Sequence, residues 1–215
     1  MCGRFSLGVS ISDVQAVFPF TMRHPSSAAL WQPRFNIAPG SDILTMVLGG
    51  TVVWGGMVRW GWPPPWNPSR QIINVRVESF LEKPSFRDGR RALVVADSFY
   101  EWHQTGKYPY RIFSPSHRLW AMAALIQSTP VEPYSRVVLL TQAATPEIEE
   151  IHPRMPVILD QSVVHDWLAG MWQPLQGQPK PTVVLEAVRI TTAINRTIHD
   201  GPDVQRPLVI PKATH

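Results

Sequence analysis

The chain holds one cysteine, Cys2, in the opening Met1-Cys2-Gly3-Arg4-Phe5. Initiator Met is usually trimmed when a small residue follows, and here trimming would leave a 1,2-aminothiol. Its α-amine, with an unperturbed pKa of about 7.7–8.0, and its thiol, about 8.5, are both partly nucleophilic near neutrality. Together they can condense with an aldehyde: the amine forms an imine and the thiol closes a five-membered thiazolidine. A lone cysteine at position 2 also arises by chance, so other residues must decide. Three stretches offer partners. In Asn74-Val75-Arg76-Val77-Glu78 an extended backbone sends Asn74, Arg76 and Glu78 to one face, which suits a site or an ordinary solvent face. In Tyr100-Glu101-Trp102 a carboxyl among aromatic rings would have its pKa raised by desolvation and could act as acid or base, unless Glu101 simply alternates outward. In Ile151-His152-Pro153-Arg154-Met155-Pro156 two prolines constrain the backbone that carries a proton-transferring imidazole and a guanidinium.

The elements that must position these residues are short. Strands are predicted over 43–48 and 52–60, joined by a Gly49-Gly50 turn, and over 92–96, 108–113, 119–126, 136–141, 155–159 and 183–191. A capping box at Ser12-Asp13-Val14-Gln15 predicts a helix carrying Val14, Val17 and Phe18. Thr145-Pro146-Glu147 predicts a second helix to about residue 151, and 162–168 a third. Residues 71–74 read as extended with a helical turn over 77–81, 87–91 as a basic turn, 21–35 and 170–182 as loops, and the tail from Pro202 as irregular. Trp60-Gly61-Trp62-Pro63-Pro64-Pro65-Trp66-Asn67-Pro68 is a stiff segment suited to presenting Trp66 at a surface. Many short strands with few helices argue an α+β fold: a single domain, 1–215, with a mainly antiparallel, curved, barrel-like β-sheet core and a few short flanking helices.

Composition narrows the function classes. The 215 residues are 44% hydrophobic, enough for a sizeable core, and one cysteine cannot form an internal disulfide. No apolar run suffices for a signal core or a membrane span, so a cytoplasmic protein with no membrane partner is expected. The formal charge is +4, most cations are Arg, and there are nine Trp, the material of a single-strand groove in which guanidinium groups hold phosphates and rings stack on bases. The histidines show no zinc-type spacing, and there is no phosphate-binding loop, nucleophile elbow or dinucleotide fingerprint. No metal and no cofactor is expected.

Taken in order, six stretches resemble the SRAP family (SOS response-associated peptidase; abasic-site-processing proteins). They are Met1 to Phe5, Arg34-Phe35-Asn36-Ile37-Ala38-Pro39-Gly40, Trp60-Gly61-Trp62, Asn74 to Glu78, Ala96-Asp97-Ser98-Phe99-Tyr100-Glu101-Trp102, and Ile151-His152-Pro153-Arg154-Met155-Pro156-Val157-Ile158-Leu159. The resemblance implies a protein that loses Met1 autocatalytically, finds abasic sites in single-stranded DNA and bonds to them through Cys2 as a thiazolidine. It places the family's catalytic residues on Cys2, Asn74, Glu101 and His152, and implies DNA contacts at Arg4, Asn36, Pro39, Trp66, Arg76 and Arg154. The lesion chemistry needs only a monomer, which is the expected state, with nucleoid association when bound to DNA and replication-fork proteins as candidate partners; the sequence leaves oligomeric state and recruitment open. Two departures bear on strand binding: Asn67 follows Trp66 where many members have a second aromatic, and the C-terminal Asn-rich stretch is only Ala193-Ile194-Asn195-Arg196. Two other readings of the same residues stand beside it. One is an N-terminal-nucleophile hydrolase acting on amides; the other is a non-covalent single-strand binder in which Cys2 is incidental.

Overall fold

A computed structural model describes residues 2–24, 31–64, 66–127, 136–171 and 183–208. Met1, Pro65, the middle of the 21–35 loop, most of the 170–182 loop and the last seven positions of the tail lie outside the described residues. In chain order the elements are β1 (Phe5–Leu7), α1 (Ile11–Val17), β2 (Thr21–Met22), β3 (Arg34–Ile37), β4 (Asp42–Gly49), β5 (Val52–Trp60), β6 (Asn74–Arg76), α2 (Pro84–Arg87) and β7 (Arg90–Ala96). There follow β8 (Ser98–Trp102), β9 (Pro109–Phe113), β10 (Trp120–Gln127), β11 (Arg136–Ala143), α3 (Pro146–Glu149), β12 (Arg154–Pro156), β13 (Ile158–Leu159), α4 (Gln161–Ala169) and β14 (Glu186–Arg189). Two 3-10 turns, Thr192–Asn195 and Pro202–Gln205, complete the chain.

Five strands close on themselves. The β4–β5 hairpin turns at Gly50, whose φ of +65° is open to glycine without steric cost. β4 also pairs with β7, β7 with β10, and β10 with β11, all antiparallel. β11 then runs parallel to β5 through Arg136↔Arg59 and Val137↔Trp60, which completes the ring. The strand β7 is buried from Ala92 through Ala96. Alternation is absent there because both faces are covered: α4 packs on β7, and the Trp167 indole donates to the Ala92 carbonyl at 2.9 Å. Arg91 stacks its guanidinium 4.3 Å from the Trp167 ring, so part of the expected basic turn is strand.

A second, wholly antiparallel sheet has the order β14-β9-β8-β1-β3. The chain passes from the barrel strand β7 into β8 through the single residue Asp97. Its carboxylate accepts from the Gly8 amide at 2.5 Å, from the Ser98 hydroxyl at 3.2 Å and from the Ser6 hydroxyl, so it ties β1 to the joint between the sheets. Asp97→Ala removes the acceptor of the Gly8 amide and leaves the buried Ser6 and Ser98 hydroxyls only each other and the Ser98 carbonyl as acceptors. We expect it to cost about 2–3 kcal/mol, a fall in Tm of roughly 5–10 °C by thermal unfolding. An unchanged Tm would show that the joint does not depend on this carboxylate.

The structure corrects four local expectations. The helix α1 is capped by Ser10, not Ser12: the Asp13 amide donates to Ser10 Oγ at 3.1 Å and Asp13 Oδ2 accepts from the Ser10 amide at 3.2 Å. Residues 77–82 form turns in place of a helix, because the Val77 amide is still held by the Thr141 carbonyl at 2.9 Å, as a continuation of the sheet ladder. The expected strand over 155–159 is divided: β12 pairs with β11 and β13 with β10, with Val157 bonded to both neighbours, so this segment wedges between β10 and β11 where they part. The described part of the tail from Pro202, residues 202–208, is not irregular: Pro202–Gln205 forms a 3-10 turn. Gln205 donates to the Tyr100 hydroxyl at 2.8 Å, and the Asp200 carboxylate accepts from the amides of Phe35 and Asn36 at 2.7 and 2.6 Å. These bonds fold the tail over the outer face of the second sheet, around Tyr100, Ile190, Ile194 and Val204.

Candidate functional site

The four residues expected to do chemistry come from four separate segments of the chain, two of them strands, and meet at one place. Asn74 opens β6, which lies parallel to β11 with Asn74 opposite Leu139. That pairing buries the amide and aims it across the barrel rim, where its Nδ2 donates to the Cys2 carbonyl at 2.7 Å. Asn74 Oδ1 is also buried and accepts no hydrogen bond among the described residues. Cys2 is fully buried, with its Sγ 3.7 Å from the Arg4 carbonyl. Desolvation, reinforced by the charge of Glu101, pushes the thiol well above the ordinary cysteine range. At neutral pH the sulfur is therefore a protonated thiol that needs a base to become a nucleophile.

Glu101 is positioned by β8. The pairs Phe5↔Phe99 and Ser6↔Ser98, continued along the same register, set Gly3 opposite Glu101 and bring the carboxyl beside the start of the chain. The alternation of β8 sends Ser98, Tyr100 and Trp102 to the outer face, so Phe99 and Glu101 face the barrel. Glu101 is only 3% exposed, and burial raises its carboxyl pKa, so the group holds a proton more readily than a surface glutamate. His152 follows α3, whose Ile148 carbonyl accepts the His152 amide at 3.0 Å. Its Nδ1 stands 3.9 Å from Glu101 Oε1. An amide, a desolvated thiol, a carboxyl inclined to protonation and an imidazole thus meet around the start of the chain. Among the described residues, no three His, Cys, Asp or Glu side chains gather in a way that could hold a metal ion.

The sequence profile of the SOS response associated peptidase (SRAP) family matches residues 1–197. The chain belongs to the SRAP family. It is 34% identical to the abasic site processing protein YoqW of Bacillus subtilis, over 95% of this chain and 98% of that one. It is 30% identical to the abasic site processing protein YedK of Escherichia coli, covering 78% and 79% of the two chains. A crystal structure of a protein from Bacteroides thetaiotaomicron shares the fold with a TM-score of 0.76 at 20% identity, covering 96% of this chain and 100% of that one.

Around the central four of this SRAP chain, the residues expected to meet DNA have different surroundings. Trp66 is 70% exposed at the tip of a loop whose base is closed by the Trp62↔Ile72 bridge. Pro39 and Arg76 are exposed, and Arg76 lies two positions from Asn74 on β6. Arg4 is half-buried: its Nη1 donates to Asn36 Oδ1 at 2.6 Å and to the Ile194 carbonyl at 2.8 Å, and its guanidinium lies 5.7 Å from the Trp102 ring. Asn36 presents no surface at all. Its Nδ2 is taken up by the carbonyls of Ile194, Arg196 and His199, so here it holds the C-terminal segment against β3. Arg154 is paired with Glu78 through both terminal guanidinium nitrogens, Nη1 and Nη2. Sequence reasoning named Glu78 only as a face-mate of Asn74 and did not single out Thr141 or Asp200. The partner of Glu78 lies 76 positions away, and no local pattern carries that information.

Proposed function

We propose that this SRAP chain processes abasic sites in single-stranded DNA by forming a covalent crosslink through Cys2. The observation that carries the reading is the convergence of Cys2, Asn74, Glu101 and His152 in a family whose relatives bear the name abasic site processing protein. Hydrolysis of the Met1–Cys2 peptide bond frees the Cys2 α-amine, with Glu101 as the nearby base for the attacking water. An abasic deoxyribose equilibrates between a closed hemiacetal and a small fraction of open aldehyde. Opening the ring needs an acid and a base, which Glu101 and His152 supply. The amine then adds to C1′ and water leaves, giving an imine. The Cys2 sulfur adds to the same carbon, its proton passes to the nitrogen, and a thiazolidine results. Amine and thiol sit on one residue, so ring closure has a very high effective molarity. The product lacks the iminium that drives β-elimination, and the strand stays whole. Asn74 fixes the Cys2 carbonyl without titrating, and its second amide atom remains to meet the sugar.

The test is direct. The purified chain, mixed with a single-stranded oligonucleotide carrying one abasic site, is expected to give a band on a denaturing gel that survives boiling. The same oligonucleotide with an intact base gives none. Absence of the abasic-dependent band would overturn the reading.

Arg76 and Trp66 are the exposed groups best placed to hold the flanking strand. Arg76→Ala is expected to weaken capture through binding: the slope of log K against log salt should fall by about 0.7, one single-strand phosphate contact. Excess DNA at low salt should restore the crosslink yield. A yield that stays low under saturation would remove Arg76 from the phosphate role.

A further inference from the structure

Arg154 looks like a strand contact by resemblance, but its guanidinium is held inside the chain. Nη1 and Nη2 donate to the two Glu78 carboxylate oxygens at 2.6 and 2.9 Å, and Nη2 also donates to the Thr141 carbonyl at 2.5 Å. A fork-to-fork pair of this kind fixes the plane of the guanidinium as well as its position. It ties β12 to the residue two places beyond β6, across the end of β11. The Arg154 side chain is 16% exposed, so little of it faces a bound strand.

The backbone of the same residue holds His152. The imidazole Nδ1 lies 3.0 Å from the Arg154 amide nitrogen and 3.0 Å from the Arg154 carbonyl oxygen. An amide N–H bonds to a ring nitrogen only through a lone pair, so the neutral ring that accepts it carries its proton on Nε2. A protonated ring has a hydrogen on Nδ1 and donates it to the carbonyl. One backbone unit thus offers a partner to each protonation state, with Pro153 restricting the turn between ring and partner.

We propose that Arg154 and Glu78 are positioning residues for His152. Their ion pair pins the Arg154 backbone, and that backbone keeps the imidazole in one tautomer and orientation beside Glu101 while it gains and loses a proton. The role depends on the reading of His152 as proton shuttle in abasic-site crosslinking. It also separates Arg154 from Arg76: the first acts on rate, the second on affinity.

Two measurements test it. In single-turnover crosslinking at saturating DNA, Glu78→Gln and Arg154→Gln are each expected to slow the reaction about tenfold through misplacement of the ring. Affinity for an intact single strand should stay within about twofold of the parent chain, and the double variant should be no slower than the slower single, as for two residues acting through one bond. If Arg154 instead holds a phosphate, Arg154→Gln weakens binding, Glu78→Gln tightens it by freeing the guanidinium, and rates at saturation do not move; that pattern overturns the proposal. The second measurement needs no reaction. Imidazole nitrogen NMR of the DNA-free chain is expected to show neutral His152 as the Nε2–H tautomer, and a mixture of tautomers in Glu78→Gln. An unchanged tautomer in both single variants overturns the positioning role even where crosslinking is normal. A parent chain that never crosslinks overturns the functional reading instead, and the tautomer measurement still decides whether the pair orients the ring.

Discussion

Cys2→Ala is expected to lower the stable crosslink to abasic single-stranded DNA by more than about 10³-fold, because it removes the intramolecular nucleophile whose effective molarity drives ring closure. The substitution is a clean one in this fold. Asn74 holds Cys2 through the backbone carbonyl, so the anchor at 2.7 Å survives loss of the sulfur. The α-amine also survives, since Ala is small enough for Met1 to be removed. An imine can therefore still form, and borohydride reduction should trap it where the untreated sample shows no band. Cys2→Ser should behave alike, because an alcohol is a weaker nucleophile toward the imine carbon and its five-membered ring reopens. The two variants separate the contribution of the nitrogen from that of the sulfur. A non-covalent binder would lose nothing on either substitution, and an amide hydrolase would give no reductive trapping. An undiminished heat-stable band with Cys2→Ala would sink the thiazolidine mechanism.

How much of this was legible in the sequence follows from the range over which each feature is encoded. The β4–β5 hairpin, the buried strand β7 and the helix α4 were readable because Gly49-Gly50, the apolar run from Ala92 and the 162–168 pattern are local. The central four were readable as a set only through resemblance. Cys2, Asn74, Glu101 and His152 are spread over about 70% of the chain, and neither spacing nor periodicity places them together. Closure of the barrel rests on the parallel β5–β11 seam, a contact between segments 77 positions apart at Arg59↔Arg136 that no alternation announces. The same limit hid the order in the tail. Gln205 and Asp200 acquire their places from Tyr100, Phe35 and Asn36, partners more than a hundred positions away. Asn36 and Arg154 show the opposite failure: their motif positions were visible, but what each is bonded to was not. An Asn consumed by three internal carbonyls and an Arg clamped by Glu78 look identical, in sequence, to an Asn and an Arg facing DNA.

Glu101→Gln, compared with the parent chain after Met1 has been removed from both, is expected to slow crosslinking by about 10²–10³-fold while raising stability above neutral pH. The rate effect is that of removing one group that donates and accepts a proton in a reaction with several proton transfers. The stability effect follows from burial. Desolvation raises the Glu101 carboxyl in the folded chain, whereas in the unfolded chain it titrates near its ordinary value of about 4.3. A group raised in this way favours folding while it is protonated, and the benefit is lost as pH rises from the unfolded value through the folded one. Above that window the native chain carries a carboxylate that is only 3% exposed, with His152 at 3.9 Å as its cationic neighbour when the ring is protonated. Glutamine has nearly the same shape and no charge to desolvate. The Tm difference between Glu101→Gln and the parent chain should therefore be near zero at pH 4 and positive at pH 8, growing across the interval between the two pKa values. Glu101→Asp should keep the charge, and with it the pH dependence, while shortening the reach toward Cys2. Lower stability of Glu101→Gln at pH 8 would mean that the carboxylate is a structural partner and would remove the case for it as the acid and base of the site. A loss of rate joined to a gain in stability would identify Glu101 as a charge this fold retains at a cost, and near a buried thiol and an imidazole that cost has a chemical reason.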